Sequence, residues 1–256
     1  IIAALGLLLT GLITWLSNRE APDKLIAGHT SEFMERKDGW KGLKETYELE
    51  IGGVQMDVAL LYKALQNGRV DVISGYATDG RIKAYNLRVL EDDLHFFPPY
   101  CGAPLVRKDV LEQHPELRDI LNQLAPLLTD DQVQQLNYEV DHQKDNPREV
   151  ARRFLEAQGF PTERVRNGTP DLIIGGKNFT EQFILAEMMS ILIENQTSLD
   201  VEVKTGLGGT IICFEALLAD EIQLYPEYTG TGFLALLQPD DATIDALIRD
   251  RDKVYD

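Results

Sequence analysis

Three tyrosines stand in loops rich in glycine and proline. Tyr76 lies in Gly75-Tyr76-Ala77-Thr78-Asp79-Gly80-Arg81, Tyr100 closes Phe96-Phe97-Pro98-Pro99-Tyr100, and Tyr228 lies in Tyr225-Pro226-Glu227-Tyr228-Thr229-Gly230-Thr231-Gly232. A loop tyrosine can offer its electron-rich face to a cation, each contact being worth about 0.5–2 kcal/mol once water is removed. Several such faces form a cage suited to a quaternary ammonium group, which has no N–H to donate. The same rings could equally fill hinge or lobe surfaces. A second stretch, Gly175-Gly176-Lys177-Asn178-Phe179-Thr180-Glu181-Gln182, joins a strand to a helix. Backbone N–H groups at a helix N-terminus attract negative charge, and Lys177 could add a charge-assisted bond to a ligand carboxylate. An ordinary turn carrying a solvated lysine explains that stretch as well, and Leu207-Gly208-Gly209-Thr210 carries the same ambiguity.

No catalytic apparatus stands beside these residues. The chain has no GxSxG elbow, no HExxH pair and no Walker A loop, so neither an enzyme nor a cofactor is expected. The four histidines, His29, His95, His114 and His142, are scattered and each reads as a surface residue. Asp92-Asp93 reads as a turn or helix cap. Cys101 and Cys213 show no CxxC or Cys/His spacing, so they read as small buried residues without metal or disulfide. The formal net charge is −17, with 42 acidic against 25 basic residues. Such a surface repels nucleic acid and anionic headgroups, which excludes both as partners.

The elements that must position the loops alternate. Strands are expected at Leu25–Gly28, Val70–Ser74, Asp171–Ile174 and Val201–Lys204. Helices are expected at Asp57–Gln66, Pro115–Leu128, Thr129–Asn137, Pro147–Gln158 (with Gly159 as cap) and Thr180–Glu194. This alternation predicts an α/β architecture with mostly parallel sheets. An internal echo sharpens it. Ala64-Leu65, Val70-Asp71-Val72, Tyr76 and Gly80 line up with Ala216-Leu217, Ile222-Gln223-Leu224, Tyr228 and Gly232, at a constant offset of 152. Each copy reads as a helix, a tight turn, a short strand and a loop headed by tyrosine. Ligands bind at strand C-termini in open α/β sheets, so two similar lobes should each offer a tyrosine to a shared cleft.

The first sixteen residues, Ile1 to Leu16, carry no charge, and Trp15 stands at their boundary. A bilayer span takes about 20 apolar residues and interfaces favour Trp. Residues 1–22 are therefore expected to be a membrane anchor, or the tail of a permease, plus a linker.

Several stretches together resemble one family. These are IGGKNFTEQFILAEM (Ile174 to Met188), TGLGGT with CFEAL (Thr205 to Leu217), YPEYTGTG (Tyr225 to Gly232), SEFMERKDGWKGL (Ser31 to Leu43), YATDGRI (Tyr76 to Ile82), LEDDLHFFPPY (Leu90 to Tyr100) and LNYEVD (Leu136 to Asp141). From Lys24 onward the chain resembles the osmoprotectant branch of ABC-importer substrate-binding proteins, the OpuBC, OpuCC and ProX-like family. The resemblance implies a type II periplasmic-binding-protein fold, two lobes closing on a ligand such as glycine betaine, choline or carnitine. The same fold could take another trimethylammonium solute such as ergothioneine, or serve as a ligand-sensing domain. It implies a permease and an ATPase subunit as partners, and an extracytoplasmic location at the bacterial plasma membrane. By position, Tyr76, Tyr100 and Tyr228 match cage aromatics, Arg36 and Lys177 match carboxylate-holding groups, and Gln182 and Thr231 match polar cleft positions. Met56 stands where some relatives place a further aromatic.

The order departs from the family's. There GGKNFTEQ through YTGTG comes first, and SEF through LNYEVD comes last; here the last half leads. A family stretch that completes the second lobe is not found. The chain is accordingly read as permuted or fragmentary: residues 23–82 part of lobe 2, residues 83–239 lobe 1, and residues 240–256 the start of a crossover. A junction of tandem domains, or a segment supplied by another chain, stays open beside it.

Overall fold

The computed structural model describes residues 25–36, 38–164, 168–248, 250 and 253–254. The apolar run Ile1 to Leu16, expected as an anchor, lies outside them. Among the described residues no helix is long and apolar enough to cross a membrane.

The first unit runs β1 (Ile26–His29), α1 (Ser31–Glu35), α2 (Trp40–Thr46), β2 (Gly52–Gln55), α3 (Val58–Gln66) and β3 (Val72–Ile73). Its sheet has the order β2-β1-β3 with β1 parallel to both neighbours. Thr30 caps α1 by accepting from the Phe33 N–H, and Asp57 caps α3 by accepting from the Ala59 N–H. The buried stripe Leu61, Tyr62 and Ala64 turns α3 toward β1 and β3.

After α4 (Gly80–Ala84) the chain enters a second sheet through β4 (Gly102–Val106). It continues through α5 (Lys108–Gln113), α6 (Glu116–Asn122), α7 (Asp130–Asp141) and α8 (Pro147–Ala157). Then come β5 (Leu172–Gly175), α9 (Thr180–Gln196), β6 (Val201–Lys204), α10 (Thr210–Leu218) and β7 (Leu224–Tyr228). A helical turn at Thr229–Thr231, a wider turn at Gly232–Leu237 and α11 (Asp241–Leu247) follow. This sheet has the order β4-β7-β5-β6, with β5 parallel to β6 and β7, and β4 antiparallel to β7.

The main core forms where α9 passes between this sheet and α6, α7 and α8. Apolar residues almost all round α9, among them Ile184, Met188, Met189, Ile191 and Leu192, allow it no solvent face. Each buried side chain of this size stabilises the fold by about 1.5–3 kcal/mol. β5 serves both faces by alternation: Leu172 and Ile174 join the α9 core, while Ile173 packs with Cys213, Leu217, Ile222 and Tyr225 beneath α10.

Leaving β4 aside, the order β6-β5-β7 repeats β2-β1-β3. The offset found in the sequence holds to the residue: α3 at 58–66 answers α10 at 210–218, and β3 and β7 begin at 72 and 224. Other expectations shift. The strand expected at Val70–Ser74 contracts to Val72–Ile73, because Asp71 turns its carboxylate onto the Ile26 N–H at 2.8 Å. Pro126, which has no N–H, ends the helix expected to reach Leu128; α6 stops at Asn122 and a 3₁₀ turn follows at Ala125–Leu127. β2 opens on two glycines and β4 contains Pro104, so neither announces itself as a strand.

His29 corrects the expectation of surface histidines. It ends β1, is only 2% exposed, and lies against Trp40 at 4.2 Å and Phe33 at 5.2 Å. Those rings exclude water, and burial lowers the imidazole to about 4, so it is held neutral. Cys213 is buried and Cys101 half-buried, and both are free thiols.

Candidate ligand-binding site

The loop after β3 and the C-terminal end of β7 meet at the N-terminus of α9. Tyr76, three residues past β3, stacks on Phe179 with centroids 4.6 Å apart and ring planes 20° from parallel. Tyr228, the last residue of β7, lies parallel to Phe179 at 6.3 Å and 24°. Rings from both units therefore share one aromatic partner at the C-terminal ends of their strands.

Polar groups hold this stack. The Tyr228 hydroxyl donates to Glu181 Oε1 at 2.6 Å and accepts from Gln182 Nε2 at 3.4 Å. Burial, and then the Glu181 carboxylate, push the Tyr228 phenol well above its ordinary 10, so it stays a donor. Glu181 Oε2 accepts from the Thr78 hydroxyl and, at 3.2 Å, from Asn137 Nδ2, which also reaches the Thr78 carbonyl at 2.9 Å. The loop bearing Tyr76 is thus tied to the helix that orients Tyr228. Gly80 permits this approach, since a Cβ there would lie 2.4 Å from the Tyr138 backbone nitrogen on α7.

Lys177 and Gln182 lie in the same region, fully engaged. Lys177 Nζ is 2.5 Å from Glu227 Oε1, and both side chains are 6% exposed. Glu227 also accepts from the Tyr225 hydroxyl at 2.9 Å and the Tyr228 N–H at 2.8 Å. The ammonium is 5.4 Å from the Tyr228 ring centroid. Gln182, wholly buried, accepts from the Lys177 N–H at 3.1 Å.

The other three candidates gather around Asp38. Arg36 grips it with a two-pronged contact, Nε to Oδ1 at 2.8 Å and Nη2 to Oδ2, and the Tyr100 hydroxyl donates to the same Oδ2. Arg36 also reaches Glu32 at 3.4 Å and Thr231 Oγ1 at 3.5 Å. Gly230 lets the Pro98–Tyr100 segment cross here, because a Cβ would come within 2.9 Å of the Tyr100 ring. Tyr100 therefore stands with Arg36 and Thr231, while the Phe179 stack takes Tyr76 and Tyr228. Met56 follows β2 and donates its N–H to the His29 carbonyl at 2.9 Å.

Five residues at the centre of these contacts were not singled out from the sequence: Phe179, Glu181, Thr78, Asn137 and Asp38. Phe179 carried a signal, being an aromatic in a glycine turn before a helix. The others are ordinary polar residues until the fold brings them together. The space among Tyr76, Thr78, Asn137, Phe179 and Glu181 is only about 10 Å³, room for no more than one water. A larger groove of about 380 Å³ lies between α7 and α8, floored by Leu136, Val150 and Phe154, away from the rings. Among the described residues no cluster of His, Cys, Asp and Glu could hold a metal ion.

Two like parallel units whose strand ends bring aromatic loops together define a two-part α/β ligand-binding architecture. The family described as the substrate binding domain of ABC-type glycine betaine transport systems matches residues 16–157 and 170–255, and the chain belongs to it. It is 40% identical over 144 residues to the carnitine transport binding protein OpuCC of Listeria monocytogenes, covering 56% of this chain and 47% of that one. It is 42% identical over 127 residues to a glycine-betaine-binding protein of Pseudomonas aeruginosa, covering 48% and 41%. It is 36% identical over 134 residues to the ergothioneine transport permease/ergothioneine binding protein EgtU of Helicobacter pylori, covering 52% and 24%. Each match spans about half of the chain and less than half of the relative. The β4 strand comes from the first family-matched stretch and β5, β6 and β7 from the second, so one sheet is built from both.

Proposed function

We propose that the chain is the solute-binding part of an ABC importer that captures a quaternary-ammonium osmoprotectant: glycine betaine, choline or carnitine. The observation that carries this reading is the convergence of Tyr76 and Tyr228, from equivalent strand ends of two units, on Phe179. Family membership and the carnitine- and betaine-binding relatives support the ligand class. Residues 23–82 then belong to one lobe and residues 83–239 to the other, with residues 240–256 beginning a crossover. On this reading the Tyr76 loop draws away from Phe179 to admit a trimethylammonium head, since the two rings now stack with centroids 4.6 Å apart. The ligand's methyl groups would take the ring faces that now contact each other, in the manner of a hinged two-lobe closure.

On this reading Tyr76, Tyr228 and Gln182 address the ammonium end, while Arg36, Tyr100 and Thr231 line the opposite wall. Lys177 acts through Glu227 on Tyr228 rather than on ligand. On the extracytoplasmic face of the membrane the protein delivers its solute to a permease, which an ATPase subunit drives, and it carries no catalytic role. The Helicobacter relative favours ergothioneine as the second ligand to test. Isothermal titration against glycine betaine, choline, carnitine, ergothioneine and proline tests the proposal. Saturable binding of a trimethylammonium compound but not proline is expected. A folded protein that binds none of them refutes it.

A further inference from the structure

Charge is distributed unevenly around the ring stack. The cations near it are already matched: Lys177 by Glu227, Arg36 by Asp38, and Arg81 by Asp79 in a fork with one arm at 2.9 Å and the other at 2.6 Å. Glu181 differs. Its hydrogen bonds come from the Thr78 hydroxyl, the Asn137 amide and the Tyr228 hydroxyl, all uncharged, and among the described residues no salt bridge reaches it. Its residue is 9% exposed. Three neutral donors can orient a carboxylate and offset part of its desolvation, but they leave its full negative charge in place. That charge sits at the rim of Tyr228 and two residues along the chain from Phe179, beside the faces that stack.

We infer that Glu181 is the fixed counter-charge of the ring site, selecting a permanently cationic head over an uncharged group of the same shape. This inference rests on the proposed quaternary-ammonium function and names a determinant of its specificity. Ring faces alone hold a tert-butyl group by apolar contact as they hold a trimethylammonium group. A carboxylate in a poorly solvated place adds attraction only for the charged one. The same residue is a positioning group: in this arrangement it grips Tyr228 with one oxygen and, through Thr78, the loop that bears Tyr76 with the other. The ion pairs on Lys177 and Arg36 act in the same direction by removing free positive charge from the site.

The test uses two ligand pairs in which a quaternary nitrogen is replaced by carbon: choline against 3,3-dimethylbutan-1-ol, and glycine betaine against 3,3-dimethylbutanoate. Affinities are measured by titration for the chain and for Glu181→Gln, which keeps the shape and loses the charge. The unsubstituted chain is expected to prefer the ammonium member of a pair by tenfold or more. Glu181→Gln is expected to cut the preference for the ammonium member about tenfold, whatever change the two members of a pair share. An unchanged preference in Glu181→Gln overturns the counter-charge and leaves the ring-site reading standing. A folded, unsubstituted chain that binds none of choline, glycine betaine, carnitine and ergothioneine overturns both. Should Glu181→Gln fail to fold, Glu181→Asp keeps the charge on a shorter arm. It must then keep the preference within threefold, and its loss would count against the inference.

Discussion

Tyr76 and Tyr228 occupy the same place in two copies of one βαβαβ pattern, and both lie parallel to the single ring of Phe179. Repetition alone would leave the two tyrosines on separate sheets. What brings them together is the N-terminus of α9, where Phe179 presents a face and Glu181 and Gln182 hold the Tyr228 hydroxyl.

If those faces bind a trimethylammonium head, ring character matters more than the hydroxyl. Tyr228→Ala is expected to lower affinity at least tenfold, about 1.4 kcal/mol, and Tyr228→Phe markedly less. Tyr47 donates its hydroxyl to Asp92 at 2.6 Å, outside the stack, and Tyr47→Ala should leave affinity within twofold. Titration of the three variants checks this, and equal losses at Tyr47 and Tyr228 would remove the stack from the binding site.

The Lys177–Glu227 pair is buried on both sides, so removing one member strands the other. Lys177→Met is expected to destabilise the fold by about 3–5 kcal/mol, with much of the loss recovered in Lys177→Met/Glu227→Gln. Urea unfolding of the single and double variants measures both. If Lys177 instead grips a ligand carboxylate, Lys177→Met would weaken glycine betaine while sparing choline, at nearly unchanged stability.

His29 gives stability a pH dependence of known sign. Its folded value of about 4 lies below the ordinary 6.5, so the unfolded chain binds the extra proton between those values. The full contribution is present above pH 6.5 and is lost as pH falls toward 4, amounting to about 3 kcal/mol at about 1.4 kcal/mol per unit. Carboxylates titrate in the same range, so the readout is a difference. Urea midpoints of the chain and of His29→Gln, compared at pH 7.5 and 4.5, should diverge less at the lower pH. Parallel loss in both would show that His29 is not the group responsible.

The two thiols should separate by reactivity. Burial raises Cys213 to about 11, which leaves little thiolate at neutral pH, whereas Cys101 is half-buried at the start of β4. A disulfide reagent at pH 7.5 is expected to modify one thiol in the folded chain and the second only after denaturant is added. Two equally fast reactions would contradict the buried position of Cys213.

Legibility in the sequence followed the strength of local signals. Helices with a capping residue and a continuous apolar stripe, such as α3 after Asp57 and α8 after Asn146, were placed within a residue or two. Strands whose residues weaken the pattern were not: Gly52-Gly53 in β2 and Pro104 in β4 form strands because an existing edge recruits them. The tyrosines were legible because aromatic residues in glycine-rich loops are uncommon enough to stand out. Asp38, Asn137 and Glu181 were not, since a polar residue acquires its role only from what it faces.

The residues themselves determined the α/β class, the internal offset of 152 and the loops that carry Tyr76 and Tyr100, because periodicity, capping and turn chemistry act over a few neighbouring positions; Tyr225 to Tyr228, read as a loop, form the end of strand β7. Tertiary structure decided how those residues are shared out. It paired Lys177 with Glu227, set Tyr100 beside Arg36 and Asp38, buried His29 and left Glu181 among uncharged donors. Each of these depends on which groups a low-dielectric interior brings together across separations of up to 103 residues, and burial and charge pairing at that range have no local signature.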